Sequence, residues 1–217
     1  MQTLTEKVWK LKPPHGLFDE TVIQNLFPDI SSGARRALVH RAVRKGEIIT
    51  LKSGLYCLSS EFNDFPPHPF VVAGMLHAPS YISMESALWH HQLIPEALFG
   101  VSSVTAKRSR IYKTPMGVYS FFRIPCHHLK AGVRAEKIDG NDWAFIATPL
   151  RAVADMVYRH REITWEKEGL RFFTDSLRIE IEDLRNVSLK DFREIYNSFR
   201  NKRVKEYLMD LKREIAA

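Results

Sequence analysis

The chain has 217 residues, of which 26% are charged and 45% hydrophobic, with 10 glycines and 11 prolines. Those proportions exclude disordered, collagen-like and low-complexity classes and allow one large domain or two small ones, each burying a core. Lys and Arg number 32 against 25 Asp and Glu, a formal net charge of +7, and two cysteines are too few for a disulfide scaffold.

The apolar runs, such as residues 70–76, fall well short of the ~18 residues a membrane span needs. At the N-terminus Glu6, Lys7, Lys10 and Lys12 interrupt the apolar residues, so no secretory h-region can be drawn and a cytoplasmic location is expected. A short helix over 4–11 ends at Pro13-Pro14. Asp19 is a fitting N-cap for a helix over 20–27, closed by Pro28. Ser31 or Ser32 caps a third helix that ends near Lys45-Gly46. Its apolar set Ala34, Leu38 and Ala42 recurs every four residues and is expected to face inward. Ile48-Ile49 and residues 55–58 read as two short strands joined by a turn at Lys52-Ser53-Gly54.

Three short helices followed by a hairpin are the order of a winged helix-turn-helix, and the charge supports that reading. Residues 31–52 hold Arg35, Arg36, Arg41, Arg44, Lys45 and Lys52 against Glu47 alone. Such a cluster on a small domain points to a polyanion. The helix N-terminus favours phosphate, and arginine suits bidentate contact with guanine and phosphate. The candidate DNA-binding residues are therefore Ser32, Arg35, Arg36, His40, Arg41, Arg44 and Lys45 on or after the third helix, with Lys52 and Ser53 at a wing tip. A solvated helix face is the competing explanation.

Residues 61–68, within the Ser-, Asn-, Asp- and Pro-rich stretch LSSEFNDFPPHP, read as a linker between a domain over 1–60 and a larger one over 69–217. The larger part begins with a helix over 70–76, a strand at Tyr81-Ile82 and a helix from Met84 capped by Ser83. Strands follow at 101–105, 110–112, 118–124, 134–138 and 143–147, with an Asp139-Gly140-Asn141 hairpin turn. Thr148 caps a helix that has Pro149 in its first turn and Val153, Met156 and Val157 inward. The tail reads as two charged helices, the first with Leu189, Phe192, Ile195, Tyr196 and Phe199 on one apolar face. The fold class expected is α+β: an N-terminal winged helix-turn-helix, then a larger mixed domain with an antiparallel sheet and C-terminal helices.

Several stretches together resemble one family. RRALVHRAVRKGEIITLKSGLYCL is similar to the recognition helix and wing of the AbiEi-type antitoxin and transcriptional-regulator family of abortive-infection (type IV) toxin–antitoxin systems. PSYISMESALWHHQLIPEA resembles the opening of its second domain, VSSVTAKRSRIYKTPMGVYSFFRIP its basic strand pair, ATPLRAVADMVY the helix that follows, and YNSFRNKRVKEYL its closing helices. The resemblance spans roughly residues 15–210 and implies a DNA-binding autorepressor. It also implies an antitoxin that counters a nucleotidyltransferase-like toxin, functionally if not through a tight complex. The partner is then double-stranded DNA, the operator of its own operon; an oligomer on DNA is compatible with a repressor, although no heptad signals dimerisation. A protein-interaction module, or a regulator with no toxin partner, is the alternative.

Catalytic signatures are missing: there is no Walker loop, GxGxxG, HExxH or GxSxG. Neither an enzyme nor a cofactor is expected. Cys126-His127-His128 are neighbours on an extended segment and point to alternate faces, so they do not converge on one ion. His90 and His91 stand about 100° apart on a helix, and His91 is assigned a core or cap hydrogen bond. Lys107, Arg108, Arg110 and Lys113, interleaved with aromatics, are either a second nucleic-acid surface or the charged protection of an edge strand. Arg200, Lys202, Arg203 and Lys205 read as a solvated helix face, and Trp89, Trp143 and Trp165 as core or interface packing.

Overall fold

Capping chemistry sets the first helices. In α1 (Leu4–Leu11) the Thr3 hydroxyl accepts from the Glu6 amide at 3.2 Å while the Glu6 carboxylate accepts from the Thr3 amide at 2.9 Å. The two ends of that box hold the first turn, and Leu4, Thr5 and Val8 face inward. Asp19 caps α2 (Glu20–Leu26) by accepting from the Val22 amide, and Ser31 caps α3 (Ser32–Arg44) by accepting from the Ala34 amide. Gly46 follows α3 at φ +75, a left-handed conformation that a side chain would strain. The hairpin of β2 (Ile48–Lys52) and β3 (Leu55–Leu58) gains a third strand, β1 (Leu17–Asp19), in the antiparallel order β1-β3-β2. Three residues without a clear alternation gave no sequence signal for β1.

The computed structural model describes residues 3–95, 99–140, 142–180, 183 and 191–216, and it is a mixed α+β fold. After α4 (Pro69–Leu76), β4 (Ser80–Ile82) and α5 (Met84–His90) come β5 (Gly100–Thr105), β6 (Arg110–Thr114), β7 (Gly117–Arg123), β8 (Val133–Asp139) and β9 (Asp142–Ala147). The chain continues through α6 (Pro149–Arg159), a π-helical turn at Phe172–Ser176, α7 (Phe192–Ser198) and α8 (Lys202–Ala216). The six-stranded sheet runs β6-β7-β5-β4-β9-β8. The antiparallel sheet expected from the sequence is in fact mixed, because β5 pairs with β7, and β4 with β9, in parallel. β6 folds back on the outer side of β7, which leaves β7 beside β5 and running in the same direction. Leu189, expected to open the apolar face of the first tail helix, and Asn141 of the hairpin turn lie outside the described residues.

Two apolar cores meet on either side of the first sheet. Along β3 the side chains alternate: Tyr56 and Leu58 join Leu4, Val8, Ile23, Phe27, Val39 and Ala42, whereas Leu55 and Cys57 join the core of the larger unit, together with Leu17 and Leu51. The segment 61–68 is part of this packing, since Pro67 is buried, Phe62 packs on the first core and the Asn63 amide donates to the His15 carbonyl at 2.8 Å. The inward stripe of α3 also differs from the expected one. Val39 and Ala42 are buried, Leu38 is half-buried and Ala34 is exposed. α1 packs on α3, with Leu4 and Val8 in one core with Val39 and Ala42, and Arg35 takes the half-buried position of the first turn.

Candidate nucleic-acid interface

The rotation of α3 sorts its basic residues into two groups. Arg36, His40, Arg41 and Arg44 are exposed, and among the described residues no hydrogen bond or ion pair engages their side chains. Ser32 is exposed in the first turn, behind the Ser31 cap. No acidic residue falls between Ser32 and Gly46. Lys45 is also exposed and lies 3.7 Å from Glu47, whose carboxylate takes a shorter bond, 2.6 Å, from the Thr5 hydroxyl. An exposed pair of that length contributes little and leaves Lys45 available.

Two residues expected at the DNA contact are half-buried and engaged by backbone carbonyls. Arg35 donates through Nη1 to the carbonyls of Ile30, at 2.6 Å, and Phe27, at 3.3 Å. Phe27 ends α2, so the guanidinium ties the α2–α3 turn together from its half-buried position. Lys52 donates through Nζ to Leu76 O at 2.6 Å and Met75 O at 3.1 Å, the last carbonyls of α4. A cation there satisfies unpaired carbonyls and the negative end of the helix. Lys52 therefore pins the hairpin to the larger unit, and Ser53 alone of the two stays exposed at the turn.

The second basic run is exposed throughout and surrounds β6, which is an edge of the six-stranded sheet. Lys107 donates to the Ala78 carbonyl, and Arg110 reaches the Tyr112 hydroxyl at 3.4 Å and lies over its ring. The side chains of Arg108 and Lys113 make no hydrogen bond or ion pair among the described residues. Of the two readings, this placement supports edge protection, because among the described residues no strand hydrogen-bonds to the outer side of β6 and charges on that edge oppose such pairing. His77, at the end of α4, sits beside this cluster. Burial holds it below its ordinary value, and Lys107, Arg110 and Lys52 add to that effect.

The remaining cysteine and histidine candidates lie elsewhere in the fold. Cys57 is buried, and burial pushes its thiol up to about 11, which removes it as a nucleophile. His127 accepts from Arg200 Nε at 2.8 Å, while His128 is exposed. His91 bonds the Ala147 carbonyl at 2.9 Å, and His90 lies 2.9 Å from a Glu136 oxygen. Arg203 is not solvated: it donates to the carbonyls of Val157, His160 and Ile163 and so closes the end of α6. Trp89 and Trp143 are 44% and 62% exposed, against the packing expected of them.

Sequence reasoning missed one site altogether. Arg151 and Asp155, both in α6, are fully buried and 3.0 Å apart, Nε to Oδ1. The Arg151 guanidinium also donates to the Tyr81 hydroxyl at 2.6 Å and the Ala131 carbonyl at 2.9 Å. Asp155 accepts from Tyr81 at 2.9 Å and Ser83 at 2.7 Å. Burial pushes the Asp155 carboxyl up, and the guanidinium and the two hydroxyls pull it back. An Arg and an Asp four apart inside an otherwise apolar helical stretch were the available signal. No protein-family model matches this sequence, and no curated protein matches it.

Proposed function

We propose that the chain is a DNA-binding transcriptional autorepressor in which α3 enters a groove of duplex DNA and the β2–β3 hairpin serves as the wing. The observation that carries this reading is the outward face of α3, where Arg36, His40, Arg41 and Arg44 stand exposed, with no hydrogen bond or ion pair to their side chains among the described residues. Arg36, His40 and Arg44 recur every four residues and form one row along the helix. The major groove, about 12 Å wide, admits one helix, and a guanidinium can hold guanine or phosphate with two parallel bonds. Arg35 and Lys52 leave the contact set, and Ser32, Arg36, His40, Arg41, Arg44, Lys45 and Ser53 remain in it.

The element order of three helices and a hairpin supports the winged helix-turn-helix assignment. The resemblance to AbiEi-type regulators extends the proposal: the operator belongs to the protein's own operon, and the larger unit is the antitoxin portion that counters a nucleotidyltransferase-like toxin in the cytoplasm. The test is fluorescence anisotropy on the protein's own promoter. The triple variant R36A/R41A/R44A should bind at least about a hundredfold more weakly, since each good bidentate contact is worth ~1–3 kcal/mol. Unchanged affinity in a folded triple variant would remove α3 from the role. A second reading, a protein-interaction module, is favoured by Trp89, Phe99 and Val118, which are exposed around a groove of about 480 Å³ also lined by Phe70 and Met116.

A further inference from the structure

We propose that His90, His91 and Glu136 form a binding site for one divalent metal ion of the zinc class. α5 ends at His90, and His91 is its C-cap. Glu136 comes from β8, opposite Ala144 of β9, and the fold brings it to the helix end across 46 residues. One donor atom from each of the three side chains lies within 4.8 Å of the others. Donors around a tetrahedral ion at ~2.0–2.2 Å stand roughly 3.3 Å apart. The His90 Nε2 to Glu136 Oε2 separation of 2.9 Å needs only a small opening to reach that spacing.

The surroundings are those of a ligand set. His91 Nε2 lies 2.9 Å from the Ala147 carbonyl. An acceptor there fixes the proton on Nε2 and leaves the Nδ1 lone pair for a metal, as backbone carbonyls commonly do for metal-bound imidazoles. The His90 ring is steadied between Phe70, 6.0 Å away, and His91, 5.3 Å away and nearly perpendicular. The His90 and Glu136 side chains are 20% and 27% exposed, so an ion reaches them from solvent and a water can complete its shell. Two imidazole nitrogens and a carboxylate suit zinc, or cobalt in its place, more than magnesium or calcium, which prefer all-oxygen shells. Bound there, the ion would clamp the end of α5 to β8.

The same contacts could serve only as hydrogen bonds between helix and sheet, and a substitution at Glu136 separates the two roles. E136Q keeps an acceptor for His90 but removes the anionic ligand. The test titrates the full chain, free of any affinity tag, with Zn²⁺ against a chromophoric chelator and records the visible spectrum with Co²⁺. The site predicts one equivalent of metal per chain and the intense bands of tetrahedral cobalt. E136Q and H91A should each weaken binding at least about tenfold, the least that losing even an outer-shell partner costs. H128A, at an exposed histidine outside the cluster, should bind as the unchanged chain does. Circular dichroism of the metal-free variants separates loss of ligand from loss of fold. Equal zinc affinity in the unchanged chain and in folded E136Q, or no binding by the unchanged chain, overturns the site.

Discussion

Asp155 accepts three hydrogen bonds from within the molecule, and each donor comes from a different part of the chain or a different turn: Tyr81, Ser83 and Arg151. The guanidinium lies over the rings of Tyr81 and Phe199, which closes the remaining faces of the pair. Removing one partner from such a pair strands a charge where water cannot reach it. D155A should cost about 3–5 kcal/mol in urea unfolding, whereas the apolar double variant R151M/D155L should cost less than D155A alone. A double variant at least as destabilised as the single would show that the network's hydrogen bonds, and not the stranded charge, dominate. Gly132 belongs to the same locality. At φ +69, its added Cβ would meet the Ile195 side chain at 2.6 Å and Arg151 Cβ at 3.0 Å, so any other residue there would push α7 away from α6.

At the level of elements, α3 separates two kinds of arginine, and their variants should behave in opposite ways. R35A frees the Ile30 and Phe27 carbonyls and should lower stability while leaving the salt dependence of DNA binding unchanged. R36A/R41A/R44A should leave stability nearly intact and reduce the slope of log affinity against log salt, by about 0.9 for each phosphate no longer neutralised. Thermal melts and anisotropy at several salt concentrations check both halves. The termini of α2, α3 and α6 were legible in the sequence because Asp19, Ser31 and Thr148 cap through their own neighbours' amides. Hairpin turns were legible for the same local reason. The inward stripe of α3, the anchoring of Lys52 and the pairing of His90 with Glu136 were not, since each depends on an element distant in sequence. An arginine on an inward helical stripe also reads as surface in a composition-based argument, although its long apolar stem suits partial burial. Of the candidate site, Arg36, Arg41, Arg44 and Lys45 lie exposed, whereas Arg35 and Lys52 bind backbone carbonyls.

For the whole molecule, the shared core matters more than the proline-rich segment at 61–68. Leu17, Leu51, Leu55 and Cys57 pack with residues of the larger unit, and Lys52 is bound to the end of α4. Calorimetry should therefore show one cooperative transition for residues before and after that segment. Two separate transitions would mean that the contacts across it are too weak to couple the parts. pH acts on the same region. Burial lowers both His68 and His77 below the ordinary value of 6.5. The unfolded chain then takes up protons that the folded chain refuses. Stability is complete above the ordinary value and declines as pH falls through the two lowered ones. Melting temperatures from pH 7.5 to 5.5 should drop, and H68Q/H77Q should flatten that drop.

The alternation of β3 has a practical corollary. Leu55 and Cys57 turn away from the basic helix and into the larger unit, with Leu17 and Leu51 beside them. A chimera that transplants the first sixty residues onto an unrelated effector would carry that greasy underside into water, and such surface invites aggregation. Anyone wishing to reuse the module as a portable targeting cassette would first have to repaint those four positions with polar side chains.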